Sequence, residues 1–299
     1  MFNNLLVIIV TYNAMPWIEK CIGSVLDSTV AADIILIDNG SSDGTQEYVK
    51  QNFPAIIFIQ SEENLGFGKA NNIGFRYALK KGYEYVYLLN QDAWIFPDTF
   101  KNLIQIHQLN PDYGILSPIQ MQANMRYMDH NFGLKVCFQI KENEFISDLY
   151  TNSVKDVYEV PVVMAAHWLI SKKCLEIVGG FSPSFPHYGE DDNWCHRANY
   201  WGFKIGIVPA AKGVHDRENR VMTIKYQIYM FYIGLIRSIS NPLMSGKYFI
   251  LRMVKDCMLH IFKTNNISPL IYLCKFLYHL KYFKENKAIS MISHCAFLK

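Results

Sequence analysis

The feature that most constrains the fold is an alternation of apolar runs with segments of helical spacing. Four runs are almost continuously apolar, LLVIIV, DIILID, AIIFIQ and YEYVYLL, and the first three are each followed by a segment with helical spacing. Apolar runs without polar alternation are typical of strands covered on both faces, as in a parallel sheet. The chain is therefore predicted to be an α/β protein, with a mostly parallel sheet between flanking helices.

Polar residues follow three of these predicted strands where each strand ends. The first strand leads into TYN, the second into DNGSSDGT and the fourth into NQD. Because open parallel sheets bind ligands beyond the carboxyl ends of their strands, we expect a binding site at this edge. Residues 120–158 are predicted to be irregular, and FKIGIVP is predicted to be the last strand, followed by a loop through AAKGVHDREN.

Composition indicates one large core with a smaller appended unit, since 299 residues include 51% hydrophobic ones. Seven cysteines without a CxxC pair favour a reducing compartment over a disulfide or zinc framework. The apolar run LLVIIV lacks the flanks of a signal peptide, and no run reaches the about 18 apolar residues of a spanning helix. We therefore expect a cytoplasmic protein.

Charge divides the chain into two parts. Residues 222–299 carry eleven Lys and Arg against two acids, a net +9, so residues 1–221 carry −6 of the total +3. We predict a domain over 1–221 and a basic, apolar helical region over 222–299. Basic amphipathic helices bind anionic membrane surfaces, which would place the protein on the inner face of the cytoplasmic membrane. The alternative is that these helices pack on the domain or form a dimer interface.

Two loops carry groups suited to a nucleotide. Asp38 could accept hydrogen bonds from a base or ribose, or the loop could be a surface turn that caps the next helix. Gly66 and Gly68 could admit a ligand close to the backbone, with Lys69 near a phosphate, or they could form a plain helix entry. The third position of a dinucleotide fingerprint is Asn71 rather than Gly, which disfavours a redox cofactor.

Three further positions carry candidate acid, base or metal chemistry. Asp92 follows a buried strand and could bind a hard divalent cation or cap a helix. Glu190, Asp191 and Asp192 are consecutive, which suits a general base or the acidic first turn of a helix. His215 follows the last predicted strand, where it could be structural or a ligand.

Taken together, the motifs resemble those of family 2 glycosyltransferases of the GT-A type, in a bacterial rhamnosyltransferase-like subgroup. The resemblance covers about residues 4–219 and depends on the order VTYN, DNGSSDGT, NLGFGKANNIG, NQD, GGF, GEDDNWCHR and VH. It implies the GT-A nucleotide-diphospho-sugar transferase fold, a Rossmann-like sheet with flanking helices, followed here by the C-terminal helical extension.

The resemblance also implies roles for individual positions. Asp92 and His215 would hold Mg²⁺ or Mn²⁺ on the donor diphosphate, and Asp191 would be the catalytic base with Glu190 beside it. The donor nucleotide sugar would contact Thr11, Tyr12, Asn13, Asp38, Asn39, Asn64, Gly66, Gly68, Lys69, Asn71, Asn90 and Gln91. The acceptor side would include Trp168, Asp192 and Arg197.

The implied function is inverting, metal-dependent transfer of a sugar from a nucleotide-diphosphate donor in bacterial surface polysaccharide synthesis. The acceptor would be a hydroxyl of a saccharide or lipid-linked saccharide; a nucleic acid partner is not expected, and oligomer formation is left open. Two departures affect the acceptor side: Asn193 replaces the last acid of E-D-x-D, and GGFSP replaces GGFDE.

Two alternatives to this function are kept. A nucleotidyltransferase on a related fold would carry a glycine-rich, basic signature near its N-terminus, which VIIVTYNAMPWIEK lacks. A sugar-nucleotide or membrane-binding module without catalysis would bind nucleotide without turnover.

Overall fold

The computed structural model describes residues 4–140, 144–217, 223–244 and 249–298. The strands are β1 (Leu5–Thr11), β2 (Asp33–Asp38), β3 (Ile57–Gln60), β4 (Tyr85–Asn90), β5 (Ala93–Ile95), β6 (Tyr113–Met121), β7 (Tyr158–Glu159), β8 (His167–Ser171) and β9 (Lys204–His215). The helices are α1 (Ile18–Leu26), α2 (Thr45–Asn52), α3 (Gly66–Lys81), α4 (Thr99–Leu109), α5 (His130–Gln139), α6 (Glu144–Thr151), α7 (Lys172–Val178), α8 (Glu190–Tyr200), α9 (Ile224–Ser240), α10 (Phe249–Thr264), α11 (Ser268–Tyr278) and α12 (Leu280–Ile292).

Within the described ranges, the strands form one sheet in the order β3-β2-β1-β4-β8-β6-β9-β5, with β7 paired to β9. Neighbours β3, β2, β1 and β4 are parallel, as are β6 and β9. Strand β8 is antiparallel to both β4 and β6, so β6 and β9 point the same way as the first four. The α/β prediction with a mostly parallel sheet is confirmed.

Both faces of the sheet are covered, which explains the continuous apolar runs. Along β1, Leu6 and Ile8 pack into the layer that contains α3, while Val7 and Ile9 pack into the layer that contains α1. Because successive side chains of a strand point to opposite faces, a strand buried on both sides is apolar at every position.

Two expectations about the second half are wrong. Residues 120–158 contain α5 and α6, and α5 begins at a cap in which Asp129 accepts a hydrogen bond from the Phe132 N–H. Strand β9 continues through the predicted loop as far as His215, because its last residues pair with β5. The extra length carries His215 to the edge where β4 ends.

The C-terminal helices α9 to α12 form a core of their own, which also includes Phe185 from the preceding region. The predicted boundary between residues 221 and 222 lies outside the described residues. Among the helices that are described, none is both long and apolar enough to cross a bilayer. Among the six cysteines whose side chains the structure describes, no disulfide joins one to another.

Candidate active site

The ends of β1, β2 and β4 meet at one edge of the sheet, as the sequence predicted. Thr11 pairs with Asp38 in the β1–β2 register, and Val10 pairs with Asn90 in the β1–β4 register. The three polar strand ends are therefore neighbours, and the loops that follow them form one surface.

Asp38 organises this surface and does not face a ligand. Its side chain is fully buried. Its two oxygens accept five hydrogen bonds, from Thr11 Oγ1, the Gly40 and Ser41 N–H groups, Ser41 Oγ and Gln46 Nε2. The predicted base contact at Asp38 is therefore not supported. The adjacent Asn39 is also buried, and its Oδ1 has no hydrogen-bond partner among the described residues.

The loop after β1 is held against the loop after β4 by one amide. Gln91 Oε1 accepts from the Tyr12 N–H at 2.7 Å, and Gln91 Nε2 donates to the Tyr12 carbonyl at 3.2 Å. Asn13, at φ +53°, accepts from the Ser42 N–H through Oδ1 at 2.9 Å. These contacts occupy the Gln91 and Asn13 side chains, whereas the Tyr12 side chain is exposed and can contact a base.

The glycine loop is shaped by packing more than by access to a ligand. Gly66 begins α3 at φ +77°, and its N–H donates to Asn64 Oδ1 at 2.9 Å. A Cβ built at Gly68 would lie 3.0 Å from Phe181 Cβ, so this glycine allows the 179–181 turn to approach. Asn71 is buried and donates to the Phe67 carbonyl, contrary to its predicted place along the diphosphate. Lys69 is exposed and can contact a ligand.

Asp92 and His215 come together because β5 pairs with the end of β9, placing Ala93 opposite His215. Asp92 Oδ1 lies 3.5 Å from His215 Nε2, and Asn90 Nδ2 also lies 3.5 Å from that nitrogen. Burial raises the pKa of Asp92, but the hydrogen bond and charge of His215 more than offset it, so the net pKa is lowered. Asn90 Oδ1 is buried and has no hydrogen-bond partner in the part of the chain that the structure describes.

This donor set fits a divalent cation with two protein ligands. Two ligands on one octahedral ion, each at about 2.1 Å, lie about 3 Å apart, close to the observed Asp92–His215 separation. No group of three or more His, Cys, Asp or Glu side chains suited to a metal occurs in the described ranges, so further ligands would come from substrate or water. An imidazole beside a carboxylate favours Mn²⁺ over Mg²⁺.

Arg217 constrains the tautomer of His215. Its Nη2 lies 3.0 Å from His215 Nδ1, while its Nε lies 3.0 Å from the buried Asp129 carboxylate. Because arginine only donates, neutral His215 accepts at Nδ1 and carries its proton on Nε2. A cation at Nε2 requires the other tautomer, so the Arg217 contact has to break when a cation binds there.

A second histidine, which the sequence analysis missed, supports the end of β9. His167 is fully buried, with Nδ1 2.9 Å from Tyr87 Oη and Nε2 2.9 Å from the Val214 carbonyl. Burial lowers the pKa of His167 to about 3, so the ring is neutral. A Cβ at Gly213 would lie 2.7 Å from this ring, so the glycine makes room for it.

The acidic motif forms the first turn of α8, with the three carboxyl groups in different environments. Gly189 precedes it at φ +84°, where a Cβ would lie 2.8 Å from Ile233 Cγ2. Glu190 is buried, and within the described ranges its Oε2 has no hydrogen-bond partner. Burial, with a smaller contribution from the Asp191 charge, raises the pKa of Glu190 to about 8. Glu190 is therefore mainly neutral at pH 7.

Asp192 and Asp191 differ in their partners. Asp192 pairs with Lys135 of α5 at 3.1 Å and with Arg237 of α9 at 2.6 Å. Burial raises the pKa of Asp192, but these two cations more than offset it, so the net pKa is lowered. Burial and the Asp192 charge raise the pKa of Asp191. Asp191 differs from Asp192, because its pKa is raised and no cation pairs with it directly in the described structure. It differs from Glu190, which is mainly neutral at pH 7. These differences suit Asp191 as a base.

The 6–176 segment matches the family model described as Glycosyl transferase family 2, which is more than half of the chain. The chain belongs to glycosyl transferase family 2. It is 24% identical to the dTDP-rhamnosyl transferase RfbF of Shigella flexneri over 77% of this chain and 75% of that protein. It is 25% identical to the N-acetylglucosaminyl-diphospho-decaprenol L-rhamnosyltransferase of Mycobacterium tuberculosis over 71% of this chain and 76% of that protein. The predicted family and rhamnosyltransferase-like subgroup are confirmed.

Solved structures agree on the GT-A fold of this family 2 protein. The mannosyltransferase PcManGT from Pyrobaculum calidifontis, in complex with GDP-Man and Mn²⁺, matches with TM-score 0.61 and 17% identity over 97% of this chain and 85% of that one. The S. aureus TarS 1–349 structure with UDP matches with TM-score 0.54 and 15% identity over 86% of this chain and 71% of that one.

Two residues that the resemblance assigned to the acceptor side lie in the core of this family 2 fold. Arg197 is fully buried and donates to the Val178 and Gly180 carbonyls at 2.7 Å. Trp168 is fully buried and stacks on Phe181. Neither side chain can meet an acceptor, because both hold the 179–181 turn in place.

The same turn also binds α3 and the C-terminal segment of the chain. Asn72 bridges to it twice, accepting from the Phe181 N–H at 2.7 Å and donating to the Phe181 carbonyl at 3.0 Å. The Gly180 N–H donates to the Ala296 carbonyl at 2.7 Å. A Cβ at Gly179 would lie 2.2 Å from that carbonyl oxygen. The glycine pair of the GGF motif is thus required by close backbone packing.

Proposed function

We propose that this protein is a Mn²⁺-dependent, inverting glycosyltransferase that transfers a rhamnosyl or hexosyl group from a nucleoside diphosphate donor. The acceptor is a hydroxyl of a saccharide or lipid-linked saccharide in surface polysaccharide synthesis. The observation that carries the proposal is the convergence of Asp92 and His215 at the sheet edge that also presents the exposed side chain of Tyr12. The names of the two rhamnosyltransferase relatives support the donor and acceptor classes.

In the proposed reaction, Asp191 accepts the proton of the acceptor hydroxyl. The acceptor oxygen then bonds to the anomeric carbon as the bond from that carbon to the phosphate oxygen breaks, and the electron pair leaves with the nucleoside diphosphate. A single displacement inverts the anomeric configuration. Asp92 and His215 would hold a divalent cation, which would supply charge neutralisation for the departing diphosphate.

The environments of the three acids support Asp191 as the base. Glu190 is mainly neutral at pH 7 and cannot take a proton, while the ionised Asp192 is paired with Lys135 and Arg237. Because burial and the Asp192 charge raise the pKa of Asp191, Asp191 is a stronger base than an isolated aspartate.

The test compares Asp191→Asn with Asp192→Asn in a transfer assay. A panel of nucleotide sugars is combined with saccharide and lipid-diphosphate acceptors in Mn²⁺. We expect Asp191→Asn to lower turnover by roughly 10² or more, with donor binding and melting temperature retained. We expect Asp192→Asn to lower the melting temperature, because it weakens both ion pairs.

Four outcomes would contradict parts of the proposal. If Asp192→Asn loses more turnover than Asp191→Asn at an unchanged melting temperature, the base is Asp192 and not Asp191. Full activity in excess EDTA would exclude the metal. Nucleotide binding without turnover across the whole panel would favour a binding module that lacks catalysis, and transfer of a nucleotidyl group would favour the related nucleotidyltransferases.

A lipid-linked acceptor places the enzyme at the cytoplasmic face of a membrane. Residues 222–299 carry the positive charge that such a surface attracts, while residues 1–221 are net negative. Peripheral membrane association through the C-terminal helices is therefore part of the proposal.

A further inference from the structure

The inner faces of the C-terminal helices are already covered. Phe231 and Ile236 of α9, Phe276 of α11 and Phe283 of α12 are buried together in one cluster. These inner faces are thus covered by packing of the helices on one another, which was the alternative to membrane binding for residues 222–299. A membrane would have to contact the outer faces of the helices.

The outer side of α11 carries exposed apolar side chains near both of its ends, with Cys274 and Lys275 exposed between them. Five large apolar side chains on α11 or just before it are 41% to 84% exposed: Ile267, Leu270, Ile271, Leu277 and Tyr278. Phe262, 78% exposed, lies at the end of α10 on the other side of the short connection. A group of exposed apolar side chains of this kind marks an interaction surface. We name these six residues the α11 stripe.

Lysines accompany the stripe on all three helices. Exposed lysines of α10, α11 and α12 are Lys255, Lys263, Lys275, Lys281 and Lys284. The acids of the whole 222–299 region are Asp256 and Glu285, and Lys281 lies 3.9 Å from Glu285. The three helices that carry or flank the stripe are therefore strongly positive.

This charge decides between the two main occupants. A second copy of the chain would bring two positively charged surfaces together, which disfavours association. An anionic bilayer complements the lysines with lipid head groups and covers the apolar side chains with the head-group and acyl boundary.

We propose that the α11 stripe is the segment that inserts into the interface of an anionic bilayer, with α11 lying along the surface. The inference deepens the proposed function, because it provides access to an acceptor carried on lipid. Binding to lipid does not depend on catalysis, so the two can fail separately.

The test uses full-length protein, because residues of the C-terminal segment such as Ala296 pack on the 179–181 turn and truncation would disturb the site. The variant Phe262→Ser, Ile271→Ser, Tyr278→Ser removes three exposed side chains of the stripe. A matched control, Tyr127→Ser, Leu109→Ser, Tyr150→Ser, removes three side chains of 65% to 90% exposure on other elements. Flotation is measured with vesicles of phosphatidylglycerol and phosphatidylcholine, and with phosphatidylcholine alone.

We expect the wild type and the matched control to float with the anionic vesicles, and the stripe variant to partition about tenfold to a hundredfold less. Flotation with neutral vesicles should be weaker for all three. Equal flotation of stripe variant and wild type, or no flotation of the wild type on anionic vesicles, would overturn the inference. So would a wild-type dimer in light scattering that becomes a monomer in the stripe variant, since a second copy would then cover the stripe.

Discussion

Replacing Glu190 with Gln should remove a pH dependence of stability that the wild type carries. Burial and the Asp191 charge raise the pKa of Glu190 from 4.5 to about 8 in the folded protein. Between those two values the folded state binds a proton that the unfolded state has lost. The contribution of Glu190 to stability is therefore fully present below about pH 4.5 and is lost as pH rises through about 8.

The magnitude follows from the size of this shift. Each unit of pKa difference is about 1.4 kcal/mol, so ionisation of Glu190 weakens folding by up to about 4 to 5 kcal/mol above pH 8. Glutamine keeps the shape and cannot ionise. We therefore compare the free energy of unfolding of Glu190→Gln with that of the wild type. The difference, variant minus wild type, should rise by about 1 kcal/mol per pH unit between pH 5 and pH 8.

The assay is urea unfolding of both proteins at pH 5, 6, 7 and 8. Glu63→Gln, at an exposed position, serves as the control and should show a difference that does not change with pH. A pH-independent difference for Glu190→Gln as well would falsify the assignment of a neutral Glu190. The same reasoning predicts that Glu190→Gln retains transfer at pH 7, unlike Asp191→Asn.

Three further changes test the geometry around the site. Gly180→Ala should lower the free energy of unfolding in urea by about 1 to 3 kcal/mol, because the new Cβ would lie 2.5 Å from Asn72 Oδ1. The control Gly23→Ala should not lower it, because a Cβ there meets no described atom within 4 Å. Asp38→Asn should cost about 1 to 3 kcal/mol in the same assay, since an amide nitrogen cannot accept the bonds made to the carboxylate; an unchanged midpoint would contradict its organising role. Lys135→Met should lower the melting temperature through the loss of its ion pair with Asp192, and no shift would mean that Arg237 alone suffices.

The predictable part of the fold follows from local patterns. The apolar runs of β1, β2 and β4 and the polar residues after them depend on burial and on the direction of parallel strands, both of which can be inferred from short segments. The same reasoning correctly placed Thr11, Asp38 and Asn90 at one edge.

The missed parts depend on contacts between residues far apart in sequence. Asp38 could be located but not distinguished as a buried organiser, because its hydrogen bond from Thr11, 27 residues earlier, depends on the pairing of β1 with β2. Its other four hydrogen bonds come from its own loop and α2. Lys135 and Arg237 lie 57 and 45 residues from Asp192, with no local signal for either ion pair. The C-terminal segment packs on the turn formed by the GGF motif. The local signal for this close packing is the pair of adjacent glycines in that motif.

The central claim is that Asp92 and His215 hold a divalent cation together with the diphosphate of a donor. The most direct measurement is isothermal titration of dTDP, UDP and GDP into wild-type protein and Asp92→Asn, in Mn²⁺ and in EDTA. The account predicts that at least one nucleoside diphosphate binds the wild type in Mn²⁺, and at least tenfold more weakly in EDTA or in Asp92→Asn. Equal affinity of that nucleotide under all three conditions, or no binding of any of the three to the wild type in Mn²⁺, would contradict it.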